Sequence, residues 1–214
     1  MKIYLIRHGK TRQNELGILQ GAGIDSELSE TGRNQALLLK QRLKLDAQTR
    51  VFSSPLKRAR QTAQLATGDD FECDANLIER DYGPMEGNTR QQNLKLAEEK
   101  GAARQEDLDG IETVESVNER VCTFLARLEA LEAAQEAGSG AVVVMTHSGI
   151  LGKFIRQVVS TKGATLAEDL ANYDINFIRC DNTSVTEITL TMTSDNSMPV
   201  YHIETIACAR HLNG

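Results

Sequence analysis

Four groups in this chain could do chemistry together: His8, Arg58, Glu79 and His147. His8 sits in Arg7-His8-Gly9-Lys10-Thr11 and His147 in Thr146-His147-Ser148-Gly149, each directly after a short apolar run. Arg58 follows Ser53-Ser54-Pro55, and Glu79 lies in Ile78-Glu79-Arg80-Asp81-Tyr82-Gly83. Transfer of a phosphoryl group from a monoester needs an in-line nucleophile and cations on the equatorial oxygens. It also needs an acid for the departing alkoxide. Arg7 and Arg58 offer planar forks for phosphate oxygens, with His147 expected as a third cationic donor. Two nearby arginines disfavour protonation of His8, and the neutral imidazole is the nucleophilic one. Glu79, beside Arg80 and Tyr82, is the acid candidate.

Taken singly, each group has a plain structural alternative. A lone histidine after a strand is more often structural than catalytic, Arg58 could decorate a helix, and Glu79 could pair with Arg80. The shared pattern outweighs these, because two separate strands end in the same kind of polar cluster. A zinc site is disfavoured, since hydrolytic zinc takes three protein ligands and only His8 and His147 are well placed. His202 and His211 stand in the tail without a motif.

Ile3–Ile6 and Ala141–Met145 lack polar alternation, as expected for central strands of a parallel sheet covered on both faces. Groups just past the carboxyl ends of such strands stand where open α/β sheets bind ligands. Residues 11–25 form a polar loop, and loops of that length are usually functional. Capping hydroxyls over 29–32 precede a helix at 35–45. A strand at 50–54 leads into a helix at 56–67, with Pro55 at its start. A short strand is expected at 71–77, a charged helical insertion or lid at about 88–112, and a long helix at 112–136 ended by Gly138-Ser139-Gly140. After a helix at 150–159, β-branched alternation at 176–180, 184–193 and 200–207, with turns at Asp181-Asn182 and Asp195-Asn196, reads as an antiparallel hairpin at one edge. The sum is a three-layer α/β/α sandwich with a mostly parallel central sheet and an antiparallel edge, expected as a single domain over 1–214.

The chain has 214 residues, with 40% hydrophobic and 25% charged, ordinary for one globular core. A net charge of −6 argues against nucleic acid or a membrane surface as partner. Cys73, Cys122, Cys180 and Cys208 show no metal-ligand spacing and read as buried or half-buried free thiols of a cytoplasmic protein. No apolar segment reaches the length of a signal peptide core or a membrane span.

Several motifs in order resemble the histidine phosphatase (phosphoglycerate mutase-like) superfamily: Arg7-His8-Gly9-x-Thr11 with Asn14 and Gln20-Gly21, then Leu28-Ser29-Glu30-Thr31-Gly32 with Gln35-Ala36. Ser53 to Ala59 with Gln61-Thr62-Ala63, Glu79 to Gly83 with Glu86-Gly87, and Thr146-His147-Ser148-Gly149 complete the series. The resemblance implies the phosphoglycerate mutase-like fold, His8 as phosphohistidine nucleophile, Glu79 as proton donor, and Arg7, Arg58 and His147 as the phosphate pocket. Thr11, Asn14, Gln20 and Gly21 are implied as substrate contacts, and Tyr82, Ser148 and Gly149 are grouped with them. It implies no metal and no organic cofactor. Residues 88–112 hold only the isolated Arg90 and Arg104, where phosphoglycerate mutases carry a paired-arginine motif. Gln20–Asp25 and Gly110–Thr113 look closer to the fructose-bisphosphatase branch of TIGAR. Lys10, Met85 and Ser148 depart from the usual residues, and Lys10 is a candidate for substrate charge preference.

The expectation is therefore a metal-independent phosphatase of small phosphorylated metabolites such as sugar phosphates or bisphosphates. The alternatives are a phosphoglycerate mutase and an inactive phosphate-binding regulator. The substrate-selecting walls are expected from 88–109 and 11–25, and oligomeric state is not legible.

Overall fold

The computed structural model describes residues 1–43, 45–134, 140–195 and 197–212. Its elements begin with β1 (Lys2–Arg7), the one-turn α1 (Arg12–Glu15), α2 (Glu30–Arg42), β2 (Arg50–Ser53), α3 (Lys57–Thr67) and β3 (Glu72–Cys73). Next come α4 (Arg90–Glu99), α5 (Val114–Ala133), β4 (Val142–Thr146), α6 (Ser148–Lys162), β5 (Thr165–Leu166), β6 (Val185–Met192) and β7 (Pro199–Cys208). The described residues form one seven-stranded sheet in the order β3-β2-β4-β1-β6-β7-β5. β1 pairs parallel with β4, β4 with β2, β2 with β3 and β5 with β7. β6 runs antiparallel to both β1 and β7. The hairpin thus supplies the antiparallel side of the sheet, with short β5 outside it.

The unalternated runs are buried on both faces, as their sequence requires. Val142 and Val144 of β4 pack with Phe124, Leu128 and Ile155 from α5 and α6. Val143 and Met145 pack on the other face with Leu39 and Ala63 from α2 and α3. That alternation along one strand makes the three layers.

Several boundaries differ from expectation for local reasons. α2 starts directly after Ser29, whose hydroxyl accepts from the Gly32 N–H, and so takes Thr31 and Gly32 into its first turn. β3 is two residues long because Asp74 accepts from the Asn76 N–H and opens a 3-10 turn over Ala75–Leu77. Residues 176–180 are not a strand. Asp174 accepts from the Asn176 N–H and the Phe177 N–H bonds to the Asp174 carbonyl, which is turn chemistry. Gly138, Ser139, the last part of the expected helix at 135–136, and Asn196 lie outside the described residues. The insertion is helical over Arg90–Glu99 and has its own apolar cluster of Met85, Ala97 and Leu108. Among the described residues no helix is long and apolar enough to cross a membrane. All four cysteines are free, but Cys73 and Cys122 are exposed, against the expected burial.

Candidate active site

The parallel register of β1 and β4 sets Arg7 opposite Thr146, so the next residue on each strand, His8 and His147, emerges at the same rim. Their ring centroids are 5.1 Å apart. Gly9 and Gly32 let the nucleophile loop close on α2. A Cβ on Gly9 would stand 2.6 Å from the Gly32 carbonyl oxygen, and one on Gly32 would stand 1.9 Å from that of Lys10. The Gly9 N–H donates to Thr62 of α3 at 2.9 Å, which fixes the loop from the other side.

His8 is buried, and its Nδ1 lies 2.7 Å from the Gly9 carbonyl oxygen. A carbonyl only accepts, so Nδ1 carries the hydrogen and Nε2 keeps a free lone pair. Burial first, then Arg7 and Arg58, hold the His8 pKa well below its ordinary value. His147 is wholly buried. Its Nδ1 accepts from Arg58 Nε at 3.2 Å, and its Nε2 therefore donates to Ser54 Oγ at 2.8 Å. Burial, then Arg58 and His8, push its pKa well down too. The expectation of a cationic His147 is thus corrected: it is a neutral imidazole braced between Arg58 and Ser54.

The two arginines are fixed in different ways. Arg58, carried on the buried face of α3, donates from Nη2 to the Gly21 carbonyl at 2.7 Å and from Nη1 to that of Ile24 at 2.8 Å. Arg7 donates from Nη1 to the Cys180 carbonyl at 2.6 Å, while its buried Nε has no hydrogen-bond partner among the described residues. Burial is the main influence lowering both arginine pKa values.

Glu79 is buried at the N-terminus of α6, where its Oε2 accepts from the Gly149 N–H and its Oε1 from the Arg80 N–H, both at 3.0 Å. Gly149 is required by that approach, since its Cβ would come within 2.4 Å of Glu79 Oε1. Burial, then the Glu79 charge, raises the Tyr82 pKa and keeps it a phenol.

A cavity of about 670 Å³ opens over these groups, a size suited to a small ligand. Arg7, His8, Arg58 and Glu79 line it, with Asn14, Gln20 and Gly21 on one side and Tyr82, Ser148 and Gly149 on another. Thr11 does not line it. It is fully buried, forms a reciprocal cap with Asn14 and donates to Gln20 Oε1 at 3.1 Å, so it supports the wall from behind. His147 also stands behind the wall. Lys10 is likewise absent from the lining and ties α2 through its backbone, donating to Gln35 and accepting from Ser29. Among the described residues, the 88–109 insertion contributes nothing to the lining; 176–181, Gly152 and Arg156 do instead.

Two supports were not anticipated. Glu86 accepts from the N–H groups of Ala22, Gly23 and Tyr82, stapling the Gly21–Gly23 turn to the acid loop. Asn182 donates to the His8 carbonyl at 3.0 Å, and the neighbouring Thr183, at φ 58°, donates its N–H to the Arg7 carbonyl. Glu86 had a sequence signal in Glu86-Gly87, whereas a threonine with positive φ has none. Among the described residues no three metal-ligating side chains are grouped to hold an ion.

A three-layer sandwich whose two central strands end in paired histidines, flanked by the buried Arg58, the half-buried Arg7 and a carboxylate, defines an α/β phosphoryl-transfer enzyme. Residues 3–195 match the family model of the histidine phosphatase superfamily (branch 1). The chain is 33% identical over 219 residues to the Schizosaccharomyces pombe protein named Probable phosphatase C1687.21, covering 99% of this chain and 95% of that one. It is 30% identical to Fructose-2,6-bisphosphatase TIGAR B of Danio rerio, over 91% of this chain and 88% of that one. A solved phosphoglycerate mutase from Bacillus anthracis superposes with a TM-score of 0.75 at 22% identity, covering 100% of this chain and 95% of the other, a likeness of fold. The chain belongs to the histidine phosphatase superfamily, and it is a phosphatase of that family.

Proposed function

We propose that the protein hydrolyses small phosphorylated metabolites, sugar phosphates or bisphosphates among them, through a phosphohistidine and without a metal. His8 Nε2 attacks phosphorus. The N–P bond forms as the P–O bond to the alcohol breaks, and Glu79 gives its proton to the leaving oxygen. Glu79 then takes a proton from water, whose oxygen bonds phosphorus as the N–P bond breaks. Inorganic phosphate leaves, and His8 is neutral again. Arg7 and Arg58 supply the charge that the equatorial oxygens need.

The observation that carries this reading is the bond between His8 Nδ1 and the Gly9 carbonyl, which leaves Nε2 free among Arg7, Arg58 and Glu79. Hydrolysis is favoured over mutase chemistry because neither Arg90 nor Arg104 borders the cavity. Retention of a bisphosphate for re-transfer thus has no support from the insertion. The free thiols suit a cytoplasmic enzyme.

His8→Ala is expected to lower turnover of phosphomonoesters by at least about 10⁴-fold and to abolish acid-labile phosphoenzyme. Persistence of either in folded variant protein sinks the mechanism. Interconversion of 2- and 3-phosphoglycerate faster than phosphate release would move the assignment to a mutase. Phosphate binding without turnover would move it to a regulator.

A further inference from the structure

α6 presents Gly149, Gly152 and Arg156 at spacings of three and four, which puts them on one face of the helix. All three line the cavity. Gly149 holds the Glu79 carboxylate. Gly152 lies about 4.5 Å further along the axis. A Cβ there would stand 3.1 Å from Arg156 Nη2, so the guanidinium lies across the bare glycine. It is turned back toward the N-terminus of the helix, the direction long helical side chains favour. The arginine is thereby carried toward Glu79 rather than away into solvent.

Arg156 is also weakly engaged by the protein. Its hydrogen bond to the Ile175 carbonyl is 3.5 Å long, and no carboxylate among the described residues forms an ion pair with it. Arg179 on the same wall differs, being largely exposed and paired with Asp181 at 3.5 Å. A half-buried guanidinium without a counter-charge, on the wall of a cavity, is a fork open to a carboxylate or phosphate.

We propose that Arg156, held over Gly152 one helical turn beyond the Gly149 that receives the Glu79 carboxylate, is a specificity-determining residue that receives a second anionic group on the alcohol part of the substrate. This rests on the phosphatase reading, in which Glu79 serves the leaving oxygen. A group one turn along the helix that seats Glu79 lies on the leaving-group side of the cavity and not on that of the transferred phosphoryl. The substrates selected are phosphomonoesters whose alcohol carries a carboxylate or another phosphate. Arg156, rather than Lys10, sets the charge preference.

The test compares kcat/KM within matched pairs: 3-phosphoglycerate against glycerol 3-phosphate, and fructose 1,6-bisphosphate against fructose 6-phosphate. The wild type is expected to prefer the doubly anionic member of at least one pair by tenfold or more. Arg156→Gln lowers that ratio at least fivefold, mainly through KM, and Arg156→Lys restores part of it. Arg90→Gln, which removes an equal charge from exposed α4, leaves the ratio within twofold. The subsite is overturned if the wild type shows no preference, if Arg156→Gln leaves the ratio unchanged, or if Arg90→Gln moves it equally. A wild type inactive on all four compounds and on p-nitrophenyl phosphate overturns the phosphatase reading instead, and this proposal with it.

Discussion

The insertion over residues 88–109 and the stretch at 174–181 are both polar departures from the α/β frame, yet only the second borders the cavity. The insertion uses its groups on itself and on adjoining backbone, the Asn88 carbonyl accepting from the Leu19 N–H and Asn93 donating to the Met85 carbonyl. Thr89 and Gln92 cap each other at the start of α4, Arg104 pairs with Asp107 at 2.8 Å, and Ala97 and Leu108 pack with Met85. The other stretch has no regular element over 176–181 and turns Ile178 and Cys180 to the core while leaving Asn176, Phe177 and Arg179 outward, with Phe177 86% exposed. It is anchored where Arg7 holds the Cys180 carbonyl. A segment whose groups are taken up by protein has little left for a ligand. A segment satisfied mainly through its backbone keeps its side chains for one, and here those side chains share a wall with Arg156.

This contrast can be attacked from the site first. Glu79→Gln keeps the shape but removes the proton, and is expected to lower kcat by about 10²–10⁴-fold with KM changed by less than about threefold. Steady-state kinetics would then separate it from Arg156→Gln, whose effect falls on KM. A large KM effect at Glu79 with kcat intact would merge the two roles. Leu108→Ala strikes the insertion's own cluster and should cost about 2–3 kcal/mol in denaturant unfolding, while kcat/KM stays within about threefold. A hundredfold loss of kcat/KM in folded Leu108→Ala would show that the insertion shapes the cavity after all.

The smallest effect concerns pH. His8 and His147 are neutral when folded, their pKa values lying well below 6.5, whereas unfolded imidazoles bind protons below that value. The unfolded state therefore takes up more protons as pH drops from 6.5, and stability falls, by up to about 1.4 kcal/mol per unit for each histidine. Urea unfolding at pH 6.5 and 5.5 should show a shallower decline in His147→Asn. An unchanged slope would mean that the folded imidazole already holds the proton.

Much of the site was legible because it hangs on two elements with strong signatures. The runs ending at Ile6 and Met145 can only be doubly covered strands, and their parallel pairing brings His8 and His147 together without further information. Glu79 and Arg58 followed from chemistry plus motif. The wall was not legible, since 176–180 alternates like a strand and only Asp174 betrays the turn. Arg156 belongs to no motif and has no signature of its own in the sequence. The Gly149-x-x-Gly152-x-x-x-Arg156 spacing was the available clue, visible once Gly149 is tied to Glu79. Thr11 was misplaced because a buried cap and a ligand contact use the same hydroxyl. His147 was assigned a charge that its depth forbids.

Gly9 and Gly32 meet backbone to backbone, with no room for even a methyl group on either. The consequence is one of evolvability. Neither position can change alone, and no exchange between them makes space, so the backbone of the loop carrying His8 is fixed at these two points. Innovation in this scaffold is diverted to the opposite wall. A directed-evolution library restricted to Arg156, Phe177 and Arg179 searches the part of the protein free to acquire new substrates.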